Sequence, residues 1–316
     1  MAYIFLIIGF VLLIKGADVF VEGSAAIATN FGVPSLIIGM TIVAMGTSAP
    51  ETAVSLSAAL KGQNAIAISN VIGSNFFNLF MVIGVCAIIR PMLIPKDVLT
   101  RDYPINLGST LLVLVMCYLG MTLSHIDGII LLVLFTLFLI AMIKIAKKEQ
   151  AKSKNSYENN ELEIPETGMS TGTSIFCILI GITGIIIGGD KVVDSASEIA
   201  IQLGMSQHLV GLTIIAIGTS LPELVTSIVA GIKGENNMAL GNVVGSNIFN
   251  LLLILGISSS IKSIPIDIVS IYDLLFLLGF SVIIFAYILK TKKIGRIGGL
   301  LFVIAYFYYL FYVINR

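Results

Sequence analysis

The sequence predicts an all-α polytopic membrane protein, with ten transmembrane helices arranged as two inverted five-helix repeats. Three observations carry this. Hydrophobic residues make up 57% of the chain and charged ones only 11%, against roughly 25% charge in soluble domains. The apolar residues gather into runs of about the 20 that cross a bilayer. A long segment of the first half also returns in the second: residues 16–84 align with 188–256 at a constant spacing of 172, without a gap, and about two in five positions are identical.

The first span, 2–28, starts without basic residues and continues into a full crossing, so it does not read as a removable signal. Spans two and three, 35–60 and 65–89, carry the repeated polar motifs. Spans four and five are 104–121 and 127–146. Lys147 then opens a stretch, Lys-Lys-Glu-Gln-Ala-Lys-Ser-Lys and Asn- and Glu-rich sequence, that cannot bury a core and predicts a mobile linker to residue 171. Spans six to ten follow at 173–200, 208–232, 237–260, 270–289 and 295–314. The chain thus divides into a first five-helix repeat (1–146), a linker (147–171) and a second repeat (172–316). Five is odd, so the second repeat enters the membrane from the opposite side, an inverted repeat of the secondary-transporter kind.

Lysine and arginine give the orientation. Of the 18, thirteen fall in or beside the loops after spans three, five, seven and nine. Three fall on the other side (Lys61, Lys262 and Arg316), and Lys15 and Lys191 lie within spans. The positive-inside rule then predicts both termini outside and the linker cytoplasmic, and the plasma membrane is the expected location. Formal net charge is zero, which gives no reason to expect a nucleic-acid partner; the bilayer is the expected environment, and a monomer is expected to suffice. Cys86, Cys117 and Cys177 all sit in apolar runs and read as inert thiols.

The chemistry lies in the repeated letters. Gly39-Met-Thr-Ile-Val-Ala-Met-Gly-Thr-Ser-Ala-Pro-Glu51 returns as Gly211-Leu-Thr-Ile-Ile-Ala-Ile-Gly-Thr-Ser-Leu-Pro-Glu223. Pro50 lacks an N–H and clashes one turn back, near Gly46, so span two should break there. Carbonyls from Ala44 to Thr47 then become free to bind a cation. Ser48 adds a hydroxyl and Glu51 a charge, and Ala216, Thr219, Ser220 and Glu223 offer the same set. Ser74 and Asn78 share a face of span three, as Ser246 and Asn250 do of span eight. Two carboxylates, hydroxyls, amide oxygens and carbonyls suit hard cations, above all Ca²⁺, while the motifs hold no Cys or His for zinc or copper. Burying each carboxylate at mid-membrane costs about 2.5–3.5 kcal/mol, and one divalent ion, two monovalent ions or two protons would neutralise the pair. No catalytic residue, enzymatic activity or cofactor is expected.

Gly-Thr-Ser-x-Pro-Glu and Gly-Ser-Asn-x-x-Asn, each present twice, resemble the repeats of the cation/calcium antiporter superfamily, and most of all the prokaryotic sodium/calcium exchangers. The resemblance implies Ca²⁺ extrusion driven by Na⁺ influx. It implies that Glu51 and Glu223 bind Ca²⁺ with the carbonyls of Thr47 and Thr219. Sodium sites would use Ala44, Thr47, Ser48, Glu51 and Ser74 with Ala216, Thr219, Ser220, Glu223 and Ser246, with Asn78 and Asn250 bordering the centre. It also implies that spans one and six move to gate the site. Some relatives, potassium-coupled ones among them, carry Asp at the position of Asn250. With Asn here one charge is missing, and potassium is not expected to be required. A cation/proton exchanger using the same two glutamates, and a passive channel, are the competing readings.

Other polar residues read as structural. Lys15 and Asp18, and Lys191 and Asp194, are three apart and can pair on a helix face. His125 and His208 sit at predicted helix ends. The aromatic run from Tyr306 to Tyr312 reads as an interfacial anchor.

Overall fold

The computed structural model describes residues 2–60, 64–158, 169–204 and 216–314. Among these, eight helices are long and apolar enough to cross a membrane, or nine counting a pair of helices bent by 49° as one span. In chain order they are α1 (Ala2–Asn30), the bent pair α2 (Ser35–Thr47) and α3 (Ala49–Leu60), α4 (Ile66–Ile89), α5 (Val98–Gly120), α6 (His125–Glu158) and α7 (Thr171–Gln202). The short α8 (Ala216–Gly218) and α9 (Leu221–Ile232) make up the described part of predicted span seven, and α10 (Asn236–Ile261), α11 (Ile268–Thr291) and α12 (Arg296–Ile314) follow. The first part of span seven, with His208, and the loop residue Lys61 lie outside the described residues.

One expectation fails at the linker. α6 does not stop at 146 but continues to Glu158. Residues 147–158 are rich in Lys, Glu, Gln and Ala, which lose little side-chain freedom in a helix, and Lys152 adds an ion pair one turn on from Glu149, at 2.6 Å. Polarity excludes this stretch from a core, but it does not exclude it from a helix.

α10 occupies the centre, with every residue from Met238 to Ile248 buried. Glycine permits its approach to α2: a Cβ on Gly245 would lie 2.7 Å from the Cα and O of Met40. Glycines also join α1 to α7 along their lengths. Gly9, Gly16 and Gly23 recur every seven residues on α1, and a Cβ on Gly16 would lie 2.7 Å from the amide nitrogen of Ile185. Both α4 and α10 pass through a π-helical turn at matching places, Phe77–Val82 and Phe249–Ile254. Two small antiparallel ladders tie the halves together, Met92–Leu93 with Lys293–Ile294 and Thr122–Leu123 with Ile264–Pro265.

The polar residues of α1 and α7 find partners other than those expected from helix spacing. Asp18 pairs with Lys233 at 2.8 Å, and Glu22 lies 3.5 Å from the same ammonium. Lys191 stands 5.7 Å from the centre of the Phe5 ring. The aromatic run of α12 is not purely interfacial either. Tyr309 stacks on Phe76 at 3.8 Å and Tyr306 meets Phe77 edge-on at 5.4 Å, so one face of the run packs on α4. The three cysteines are free, with Cys86 and Cys117 buried.

Candidate ion-binding site

The break between α2 and α3 falls at Ser48, two residues past the predicted Gly46, so the Ala44 carbonyl is not freed as expected: it still accepts from the Ser48 amide at 3.0 Å. Pro50 is the second residue of α3, where its missing N–H costs nothing and its fixed φ suits a helix start. The chain therefore yields just before it. Ser48 has φ −81° and ψ 9°. Ser220, before Pro222, has φ −93° and ψ 5°. The two repeated motifs bend their backbones in nearly the same way.

These bends, with α4 and α10, bring together both glutamates, which are fully buried. Each is held by the serine of the other motif. Ser220 donates to Glu51 Oε1 at 3.1 Å and Ser48 donates to Glu223 Oε1 at 3.0 Å. Ser74 lies 3.3 Å from Glu51 Oε1 and 2.8 Å from the Ser220 hydroxyl. The matching Ser246 donates instead to Asn242 Oδ1, at 3.4 Å.

The threonine hydroxyls reach asparagines of the opposite half. Thr47 Oγ1 lies 3.0 Å from Asn242 Oδ1 and 3.1 Å from the Val43 carbonyl, and Thr219 Oγ1 lies 3.4 Å from Asn70 Oδ1. Asn70 and Asn242 act as reciprocal braces. Asn70 donates to Ser55 Oγ at 3.0 Å and to the Glu51 carbonyl at 3.4 Å; Asn242 donates to Ser227 Oγ at 2.9 Å and to the Glu223 carbonyl at 3.4 Å. Sequence reasoning passed over these four residues. Their signal was the repetition itself, since Asn70 and Asn242, and Ser55 and Ser227, are identical at the spacing of 172.

Asn78 and Asn250 close the arrangement. Asn78 Nδ2 donates to Asn247 Oδ1 at 3.2 Å, and Asn250 Nδ2 donates to Asn75 Oδ1 at 3.0 Å and to Ser74 Oγ at 3.2 Å. Asn75 and Asn247 were also not picked out from sequence. Of the oxygens of these two glutamates and two asparagines, four are buried with no hydrogen-bond donor: Glu51 Oε2, Glu223 Oε2, Asn78 Oδ1 and Asn250 Oδ1. Buried acceptors of this kind are normally satisfied. Here they form two matched pairs, one from each motif set. Of the other candidates, Ala44, Thr47, Ser74, Ser220 and Ser246 are buried beside them. The backbone of Ala216 opens α8, and Thr219 follows that helix in the bend.

The chain matches the family described as sodium/calcium exchanger protein over residues 1–144 and 173–315. It is 40% identical over 265 residues to inner membrane protein YrbG of Escherichia coli, covering 83% of this chain and 80% of that one. It is 31% identical to the sodium/calcium exchanger MaX1 of Methanosarcina acetivorans, covering 98% of this chain and 99% of that one. Its fold superposes on a structure of the sodium-calcium exchanger NCX_Mj with a TM-score of 0.83 and 32% identity, covering 97% of this chain and 96% of that one. The chain belongs to the sodium/calcium exchanger family and is a multi-pass membrane antiporter.

Proposed function

We propose that the protein exchanges Na⁺ for Ca²⁺ across the plasma membrane by alternating access, extruding Ca²⁺ on the energy of Na⁺ influx. The observation that carries this is the quartet of donor-free buried oxygens on Glu51, Glu223, Asn78 and Asn250. All four are hard ligands, and two carboxylates balance one divalent ion or two monovalent ones. Glu51 and Glu223 bind Ca²⁺ with the carbonyls of Thr47 and Thr219, whose hydroxyls are engaged by Asn242 and Asn70. Ala44, Ser48, Ser74, Ala216, Ser220 and Ser246 complete the sodium sites. The names of MaX1 and NCX_Mj support sodium as the driving ion.

In this reading the chain has ten crossings in two inverted repeats, 1–146 and 172–316, joined by a cytoplasmic linker at 147–171, with both termini outside, and a single chain is the working unit. One further asymmetry supports alternating access. Among the described residues, α1 packs on α9 and carries the Lys233 ion pair, while its counterpart α7 has no comparable contact with α3. The face at Lys233 is closed, and by its basic loops it is the cytoplasmic one.

Calcium flux in proteoliposomes, with sodium, potassium and proton gradients imposed one at a time, tests the proposal. Uptake should follow the sodium gradient alone. Uptake driven by protons without sodium would replace it with a cation/proton exchanger, and current at a single-ion Nernst potential would replace it with a channel.

A further inference from the structure

Asn250 spends both amide hydrogens inside the protein, one on Asn75 Oδ1 at 3.0 Å and one on Ser74 Oγ at 3.2 Å. Its Oδ1 is buried with no donor. What decides this orientation is one step further away. Asn75 is 1% exposed, and its own Nδ2 donates to the backbone carbonyl of Asn247 at 3.4 Å. A backbone carbonyl can only accept, so the nitrogen end of Asn75 is committed to it and the oxygen end is left for Asn250. A donor must therefore stand opposite, and Asn250 has its nitrogen there, which leaves its oxygen as the end that no donor occupies.

We infer that Asn75 is a positioning residue, which fixes the amide of Asn250 so that a carbonyl oxygen, and not an N–H, faces the transported cation. The inference rests on the reading of Asn250 as an ion ligand. It also explains why Asn suits position 250 in this chain. A carboxylate there would offer no N–H to Asn75 Oδ1 or Ser74 Oγ, so Asn75 favours a site of two negative charges over one of three. The twin arrangement lacks the anchor. Asn78 donates to Asn247 Oδ1, but the Nδ2 of Asn247 is unpartnered, so no backbone carbonyl dictates which end of Asn247 faces Asn78.

The test is a double-mutant cycle of wild type, Asn75→Leu, Asn250→Asp and the double variant. It is read by sodium-driven calcium transport in proteoliposomes and by calcium titration of the purified proteins. Asn75→Leu should raise KM and Kd for calcium about tenfold, the scale of one lost buried hydrogen bond, with Vmax within about twofold of wild type. Between Asn250→Asp and the double variant the difference should shrink below about twofold, since a carboxylate has no N–H end to misplace. An unchanged calcium affinity in Asn75→Leu, or an equal loss in both backgrounds, would overturn the assignment, the latter leaving Asn75 a packing residue only. Should Asn75→Leu not fold, Asn75→Ala takes its place in the cycle. Wild-type protein that binds calcium but does not move it on a sodium gradient would refute the exchange reading alone, and the titrations would still decide the role of Asn75.

Discussion

The two proline motifs and the two long helices beside them obey the same repeat but behave differently. The motifs match closely: Ser48 and Ser220 bend alike, and each holds the glutamate of the other. Among the described residues the long helices do not match: α1 lies against α9 with Asp18 and Glu22 on Lys233, while α7 makes no comparable contact with α3 and Asp190 and Asp194 are exposed. The difference separates two jobs. Ion ligands must be equivalent from both sides, whereas access must be open on one side at a time. Two matching proline motifs between asymmetric covers are what the proposed exchange needs.

The largest expected effect tests the symmetric part. Glu51→Gln and Glu223→Gln should each lower sodium-driven calcium transport at least about a hundredfold, as losing a charged ligand in a dry site demands, measured in proteoliposomes at matched protein content. Markedly unequal losses would break the equivalence of the two motifs.

The next tests the covers. A side chain at Gly16 would meet the backbone of α7 at Ile185. Gly16→Leu should therefore force α1 and α7 apart, with an overpacking cost of about 1–3 kcal/mol, visible as a lower melting temperature in detergent and slower transport. Unchanged stability would mean that the helices are not held at this distance. A smaller effect is expected at the closed face. Lys233→Gln removes one ammonium from two carboxylates that are partly exposed, so the loss is about 0.2–1 kcal/mol. That corresponds to a shift of at most about fivefold toward conformers with α1 released from α9, readable from pulsed dipolar distances between labels on the two helices. The smallest belongs to the helical extension of α6. Lys152→Ala breaks an exposed pair with Glu149 and should change stability by less than about 0.5 kcal/mol, with transport unaltered.

The site was more legible in sequence than the parts that support it. Repetition exposed Glu51 and Glu223, and the combination of Gly46 and Pro50 located the bend to within a residue or two, because missing N–H groups and absent side chains act locally. Asn70, Asn75, Asn242 and Asn247 stand in the same repeated string, yet Asn70 and Asn242 brace residues 15 and 19 positions away on a neighbouring helix and Asn75 and Asn247 bond to the other half of the chain, and spacing carries no information about such partners. The π-helical turns at Phe77–Val82 and Phe249–Ile254 lie in apolar sequence that reads as ordinary helix. The helix over 147–158 is not legible in the polarity that marks this stretch as a linker, because Ala, Lys, Glu and Gln favour a solvated helix without any core to bury. The glycines of α1 recur at seven, a pattern meaningful only once α7 is known to lie opposite.

Calcium titration of the purified protein, alongside Glu51→Gln and Glu223→Gln, tests the central claim most directly. One calcium ion should bind per chain, and either substitution should abolish binding at concentrations that saturate the wild type. Retention of wild-type affinity by either variant would contradict the account, since the two glutamates would then not share one ion.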